Sequence, residues 1–207
     1  MLDLETEKKY FQSGKKFLAG VDEAGRGPLA GPVVAACVII DSNFKIDSQE
    51  LEMVADSKKL SSKKREQLFS VIKEKALSVE ISVISEAWID KINILQASLL
   101  AMKKAINKSE VKPDLVLVDG NQRIKNLDID QETIIDGDAK VWLIAAASII
   151  AKVSRDFLMT EAEKKYPGYG FIKHKGYGTK YHLEKLKELG PCPIHRRSFA
   201  PVKKLII

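Results

Sequence analysis

Apolar residues in this chain gather in short runs, and several of those runs stop at an acidic residue. Phe17 to Val21 and Val33 to Ile40 read as two buried strands. Val79 to Ile84 is rich in β-branched residues and predicts a third. Leu115 to Val118 is a continuous apolar run, the pattern of a strand covered on both faces, and Glu132 to Ile135 is a short further candidate. Helical spacing begins after Ser61 or Ser62, either of which can cap a helix with Leu68, Phe69 and Ile72 inward and Arg65, Glu66, Lys73 and Glu74 outward. It recurs from Ile94 to Ile106 and from about Lys140 to Lys164. In the last of these, Ala145-Ala146-Ala147-Ser148 permits close packing on a sheet, and Ser148, Lys152 and either Arg155 or Asp156 share a face. Tyr181 to Leu189 predicts a final helix ended by Gly190-Pro191. Asp41 to Asp56 reads as irregular, as do two glycine-rich loops at 166–170 and 175–179.

The 207 residues, 45% of them hydrophobic, suit one domain. Residues 1–163 are expected to form its main core and residues 164–207 a basic, aromatic segment packed on it. No run reaches the ~18 apolar residues that span a bilayer, and the charged N-terminus carries no apolar signal region, so a cytoplasmic protein is expected. Cys37 and Cys192 have no zinc-ligand spacing and are expected to be reduced thiols.

Charge changes this picture at one end of the chain. The net charge is +6, yet from Lys164 onward eleven Lys or Arg face only Glu184 and Glu188. Tyr166, Tyr169, Phe171, Tyr177, Tyr181 and Phe199 fall in the same segment. Cations interleaved with aromatic rings suit a nucleic-acid backbone; a basic surface helix over core aromatics has the same composition, and both readings stay open here.

The candidate chemistry lies at the strand ends. In Gly20-Val21-Asp22-Glu23-Ala24-Gly25-Arg26-Gly27-Pro28, two carboxylates come where a strand leaves the core. Gly25 and Gly27 let the backbone approach a ligand, and Arg26 adds a donor fork beside N–H groups that suit a phosphate. A solvated turn would look alike. A dinucleotide-binding loop would not, because Pro28 and Pro32 stand where that fingerprint needs a helix start. Asp119 ends the continuous run, and Asp136 and Asp138 follow the short strand. If the Leu115 strand lies parallel to the first, Asp119 comes beside Asp22. An all-oxygen ligand set favours Mg²⁺ or Mn²⁺ over zinc, and Asp22, Glu23, Asp119 and Asp138 could hold two ions for displacement at phosphorus. Lys58 and Lys59 are candidate phosphate contacts. His174, His182 and His195 read as surface or substrate-backbone contacts. A phosphoesterase for small phosphates would share the acids, and a non-catalytic nucleic-acid binder would share the basic segment.

The motifs, taken together and in order, resemble bacterial ribonuclease HII, a type 2 ribonuclease H. They are GVDEAGRGPLAGPVVAA at 20–36, DSKKLS at 56–61, LVDGN at 117–121, GDAK at 137–140, AAASIIAKVSRD at 145–156, the YPGYGF and HKGYGT loops, and HRRSFAPV at 195–202. The resemblance implies an α/β, ribonuclease H-like fold: a central mixed five-stranded sheet flanked by helices, with a basic helical and loop segment at the C-terminus. It implies that Asp22, Glu23, Asp119 and Asp138 bind two Mn²⁺ or Mg²⁺ ions, with Asp136 a weaker match for the fourth acid. It implies that Gly25, Arg26 and Gly27 read the ribonucleotide's 2′-hydroxyl and phosphate and that Tyr177 stacks on the following deoxyribose; Lys58, from its basic turn, and Ser148, from the polar helix face that borders a groove, are the further candidate substrate contacts. The implied substrates are RNA/DNA hybrids and duplex DNA containing ribonucleotides, cut on the 5′ side of the ribonucleotide to leave 3′-hydroxyl and 5′-phosphate ends, as in ribonucleotide or primer removal. A monomer acting away from membranes is expected.

Overall fold

At the centre lies β1 (Phe17–Ala24), paired antiparallel with β2 (Val33–Asp41), which pairs antiparallel with β3 (Ser78–Ile84). On its other side β1 runs parallel to β4 (Leu115–Asp119), and β4 runs parallel to β5 (Gln131–Ile134). The order is β3-β2-β1-β4-β5, a mixed sheet. This structure is a computed structural model that describes residues 2–55 and 57–206, the Lys59 side chain excepted. Asp56 of the 56–61 motif, and any phosphate contact of Lys59, lie outside the described residues.

Side chains alternate across a strand, so the sheet has two apolar faces, and a helix layer covers each. Leu18, Ala36, Val38, Ile40, Leu115 and Leu117 pack with α6 (Trp142–Lys165), while Ala19, Val21, Ala35, Cys37, Ile39, Val116 and Val118 pack with α5 (Ile94–Lys108). The alanine run lets α6 come close. At Gly20 a Cβ would lie 2.4 Å from the Leu143 carbonyl oxygen, so helix and strand backbones meet there. The N-terminus of α6 has no capping side chain of its own. It is capped from a distance by Glu7 of α1 (Glu5–Gln12), whose buried Oε1 accepts from the Leu143 N–H at 2.8 Å. A carboxylate there also meets the positive end of the helix dipole.

The remaining elements frame these layers. They are α2 (Gln49–Glu52), the 3-10 turn Ser57–Lys59, α3 (Ser62–Lys75), α4 (Glu86–Ile92), the 3-10 turn Gly137–Ala139, α7 (Phe171–His174), α8 (Lys180–Leu189) and α9 (Ala200–Lys203). Ser61 is the cap of α3, its side chain accepting from the Lys64 N–H. Several expectations need correction. The stretch read as irregular holds α2, and one helical turn, α7, separates the two glycine-rich loops. Arg65 is not an outward residue: its Nη1 donates to the Ser57 and Leu60 carbonyls, and its Nη2 lies 3.8 Å from Asp156. Cys37 and Cys192 are both free thiols, and no described helix is long and apolar enough to cross a membrane.

Candidate active site

Val21 stands beside Val118 in the parallel register of β1 and β4, which brings the next residues, Asp22 and Asp119, together at the strand ends. Alternation puts both on the α6 face, following Leu18 and Gly20 in one strand and Leu115 and Leu117 in the other. Asp22 is buried, and its Oδ1 accepts from the Glu23 N–H at 2.6 Å. Glu23 takes Arg26 Nη1 on Oε1 at 3.2 Å. Asp119 Oδ1 accepts from the Gly137 N–H at 2.8 Å, which ties the turn carrying Asp138 to β4. Buried Asp138 accepts from Lys58 Nζ at 3.0 Å, whereas Asp136 is exposed on the same turn.

One pocket, about 290 Å³ in volume, takes in Asp22, Glu23, Asp119, the Gly25-Arg26-Gly27 turn, Lys58, Ser148 and Tyr177; Lys152 and Arg155 also line it. The Ser57 and Ser148 hydroxyls lie 2.9 Å apart, joining the 57–59 turn to α6. Gly25 has a second reason to be glycine besides ligand approach. Its φ is +102°, and a Cβ would lie 2.1 Å from Arg155 Nε, so the guanidinium fills that space. At Gly27 a Cβ would meet only the Tyr177 ring, at 3.5 Å.

The electrostatics are those of a site short of positive charge. Burial first, then Glu23 and Asp119, push the Asp22 carboxyl well above its usual range, while the Ser148 hydroxyl and the Glu23 N–H pull it partly back. Burial also raises Glu23 and Asp119, Arg26 opposing it at Glu23 and the Gly137 N–H at Asp119. Among the described residues no three His, Cys, Asp or Glu side chains converge closely enough to hold one ion. Like charges spread onto Arg26, Lys58 and backbone N–H groups instead. The donor set nevertheless fits a hard divalent cation: it is all oxygen, and two side-chain cations already lie against Glu23 and Asp138.

The basic C-terminal segment departs most from expectation. His182 and His195 are not surface residues; they are 0% and 2% exposed, with Nε2 atoms 3.1 Å apart, and His182 stacks on His174 at 4.4 Å. Tyr169 and Phe171 stack on each other at 5.2 Å in a buried cluster, and Phe199 lies under Arg196. Lys175 Nζ is turned inward to Thr160 Oγ1 at 2.9 Å. Composition could not separate these from ligand contacts, since core and interface use the same residue types. Tyr177 and Tyr181 remain about half exposed.

The buried histidines make stability depend on pH. Burial, the main cause in both, lowers His182 and brings His195 down to about 4, with the neighbouring histidines adding to the effect. Above about pH 6.5 both the folded and the unfolded chain hold these rings neutral. As pH falls from there toward 4, the unfolded chain takes up protons that the folded one refuses, so stability is lost across that window. His195 accounts for up to ~3 kcal/mol of it, at ~1.4 kcal/mol per pKa unit. Urea unfolding of wild type and His195→Gln between pH 7 and 4.5 should show a shallower decline in the variant; parallel curves would contradict this.

Similarity to known proteins agrees with the geometry. The family model for ribonuclease HII matches residues 19–202. A ribonuclease HII from Endomicrobium trichonymphae is 54% identical over 200 residues, covering 97% of this chain and 93% of that one. The crystal structure of ribonuclease H2 from Pyrococcus horikoshii OT3 superposes with a TM-score of 0.75 at 30% identity, covering 91% of this chain and 96% of that one. Bst-RNase HIII, solved in complex with Mn²⁺, shares the fold at 18% identity, with a TM-score of 0.70 over 92% of this chain and 69% of its own.

Proposed function

The chain belongs to the ribonuclease HII family, and from that premise, under which it is an endonuclease of the ribonuclease H class, we propose that the pocket at the ends of β1 and β4 is where it cuts. The observation that carries this reading is the adjacency of Asp22 and Asp119 across the parallel pair, with Glu23 next in β1 and Asp138 on the turn that Asp119 holds through the Gly137 N–H, just outside the pocket's lining. These four carboxylates would hold divalent metal, Mn²⁺ or Mg²⁺, two ions in all. When bound, such ions lower the pKa of water and stabilise charge on the leaving oxygen. Lys58 and Arg26, which lie against Asp138 and Glu23, would stand beside the phosphate of a strand entering the pocket.

The chain's own residues define what is cut. A pocket of this size cannot enclose a duplex, so the duplex lies across its mouth and one stretch of backbone enters. The exposed Gly27 and the N–H groups of its turn are placed to meet a 2′-hydroxyl and the adjacent phosphate. The Tyr177 ring, packed over Gly27, forms the wall for the next sugar, where a 2′-hydroxyl would crowd it. Ser148 and Ser57 hold the floor behind Asp22. The preferred substrate is thus an RNA-to-DNA junction in a duplex, cut 5′ of the ribonucleotide, and the RNA strand of a continuous hybrid is cut as well.

Incubation with Mn²⁺ or Mg²⁺ and three labelled duplexes tests this: all DNA, DNA with one ribonucleotide, and a continuous RNA/DNA hybrid. The all-DNA duplex should stay intact and the other two should be cut; cleavage of all three, or of none, contradicts the reading. Tyr177→Ala should lose ~1 to 3 kcal/mol of substrate interaction, by analogy with base stacking on aromatic rings. The loss should fall more on the single-ribonucleotide duplex than on the hybrid, and Tyr177→Phe should be milder. Equal losses on both substrates with a large fall in melting temperature would make Tyr177 a structural residue instead.

A further inference from the structure

Arg155 and Arg196 are 1% and 0% exposed, and neither forms an ion pair among the described residues. Every hydrogen bond they make is to a backbone carbonyl. Arg155 donates from Nε to Pro32 (2.9 Å), from Nη1 to Lys175 (2.9 Å) and from Nη2 to Ala30 (3.1 Å). Arg196 donates from Nε to Gly31 (2.9 Å), from Nη1 to Arg26 (2.9 Å) and from Nη2 to Gly25 and Pro32 (2.5 and 3.3 Å). Burying an unpaired charge costs several kcal/mol; burial lowers both guanidinium pKa values, Arg196 to about 9, and a guanidinium keeps its proton in proteins at neutral pH. A planar fork of five donors is the group that can gather so many carbonyls at once.

Five of these carbonyls belong to the 25–32 stretch and the sixth, that of Lys175, to the loop carrying Tyr177. Arg196 holds the Gly25 and Arg26 carbonyls, and the turn they belong to, residues 25 to 27, lines the pocket. Arg155 lies where a Gly25 side chain would be and holds the Lys175 carbonyl, two residues before Tyr177. Both arginines also hold the 30–32 strip, and that strip is in turn fixed to the Tyr177 loop, since the Leu29 N–H donates to the Gly176 carbonyl at 2.8 Å and a Cβ on Gly176 would lie 2.3 Å from the Ala30 oxygen.

We propose that Arg155 and Arg196 are positioning residues for substrate recognition, fastening the Gly25-Arg26-Gly27 turn and the Tyr177 loop into one preformed receptor whose two walls keep a fixed separation. This rests on the reading in which that turn and Tyr177 meet the ribonucleotide and the sugar after it. A rigid receptor needs no ordering when substrate arrives, and a misplacement of about 1 Å costs on the order of 100-fold in rate. The four acids stand on β1, β4 and the 137–139 turn, whose hydrogen bonds do not pass through either arginine, so metal binding should be spared.

The test compares wild type, Arg155→Lys and Arg196→Lys, each assayed well below its own melting temperature. Lysine keeps the charge and loses the fork. On the single-ribonucleotide duplex the expected outcome is a KM roughly 10-fold or more higher and a kcat/KM 10- to 100-fold lower. The Mn²⁺ concentration for half-maximal cleavage should stay within twofold. Adding Tyr177→Ala to either variant should cost much less than it does in wild type, because the ring is already out of place. The two arginines are read independently, so a variant that fails to fold leaves the other as the test. Unchanged KM, or a Tyr177→Ala effect fully additive with the lysine changes, overturns the proposal. Failure of wild type itself to single out the ribonucleotide would instead overturn the functional reading on which the proposal rests.

Discussion

Asp119→Asn and Asp22→Asn should each lower cleavage of a ribonucleotide-containing duplex more than ~100-fold while leaving the metal-free protein as stable as wild type or more so. Loss of groups that merely support a metal ligand costs ~10- to 100-fold in affinity or activity, so loss of a direct ligand should exceed that. The stability half follows from charge. Asp22 is buried beside Glu23 and Asp119, and all three carboxyls are pushed up by burial. Asparagine keeps an oxygen for the Glu23 N–H in one case and the Gly137 N–H in the other, and it removes a repelling charge. Relief of ~1 kcal/mol would raise the melting temperature by ~2 to 4 °C in a domain of this size. Near-normal turnover by the Asp119 variant would remove it from the metal site. A melting temperature several degrees lower would mean that the carboxylate holds the fold together.

A large effect on stability is expected at Gly20. A Cβ there would sit 2.4 Å and 2.5 Å from the Leu143 carbonyl oxygen and carbon and 2.8 Å from the Ile144 nitrogen, all of them backbone atoms of α6 that no rotamer change can move. Gly20→Ala must therefore push α6 off β1, opening the layer that buries Leu18, Leu117 and Trp142. Overpacking of this kind costs ~1 to 3 kcal/mol and sometimes more, and the rigidity of both partners puts this case at the upper end. A fall of ~6 to 12 °C in melting temperature follows. Activity should drop too, because Asp22 lies two residues along the strand and Ser148 one turn along the helix. Gly14→Ala is the comparison. Its φ of +97° makes alanine strained, but nothing lies within 4 Å of the added carbon, so it should cost only ~1 to 2 kcal/mol. Equal melting temperatures for the two variants would contradict the close approach of α6 to β1.

What the sequence made legible was what local pattern controls. A buried strand must be apolar, and the first carboxylate after it marks its end, so Asp22 and Asp119 could be found from runs of hydrophobicity alone. The alanines of α6 announced close packing for the same reason. Residues whose roles depend on distant partners stayed hidden. Glu7 caps a helix that begins more than 130 residues later, and nothing near it in the chain says so. Arg155 and Arg196 look like two more cations in basic stretches until six carbonyls are found around them. His182, His195, Tyr169 and Phe171 carry the composition of an interface and build a small core. The α1, α2, α4 and α9 helices are short, and their stability comes from packing rather than from a periodic stretch long enough to read.

The central claim, that the acidic pocket hydrolyses the backbone on the 5′ side of a ribonucleotide with metal-supplied water, is tested most directly by the chemistry of the cut ends. A duplex carrying one ribonucleotide is digested with Mn²⁺ or Mg²⁺, and the masses of both fragments are measured. The account predicts an upstream DNA fragment ending in a 3′-hydroxyl and a downstream fragment beginning with a 5′-phosphate on the ribonucleotide. A cut on the 3′ side leaving a 2′,3′-cyclic phosphate would mean attack by the ribose hydroxyl itself, and would contradict the role given to the four carboxylates.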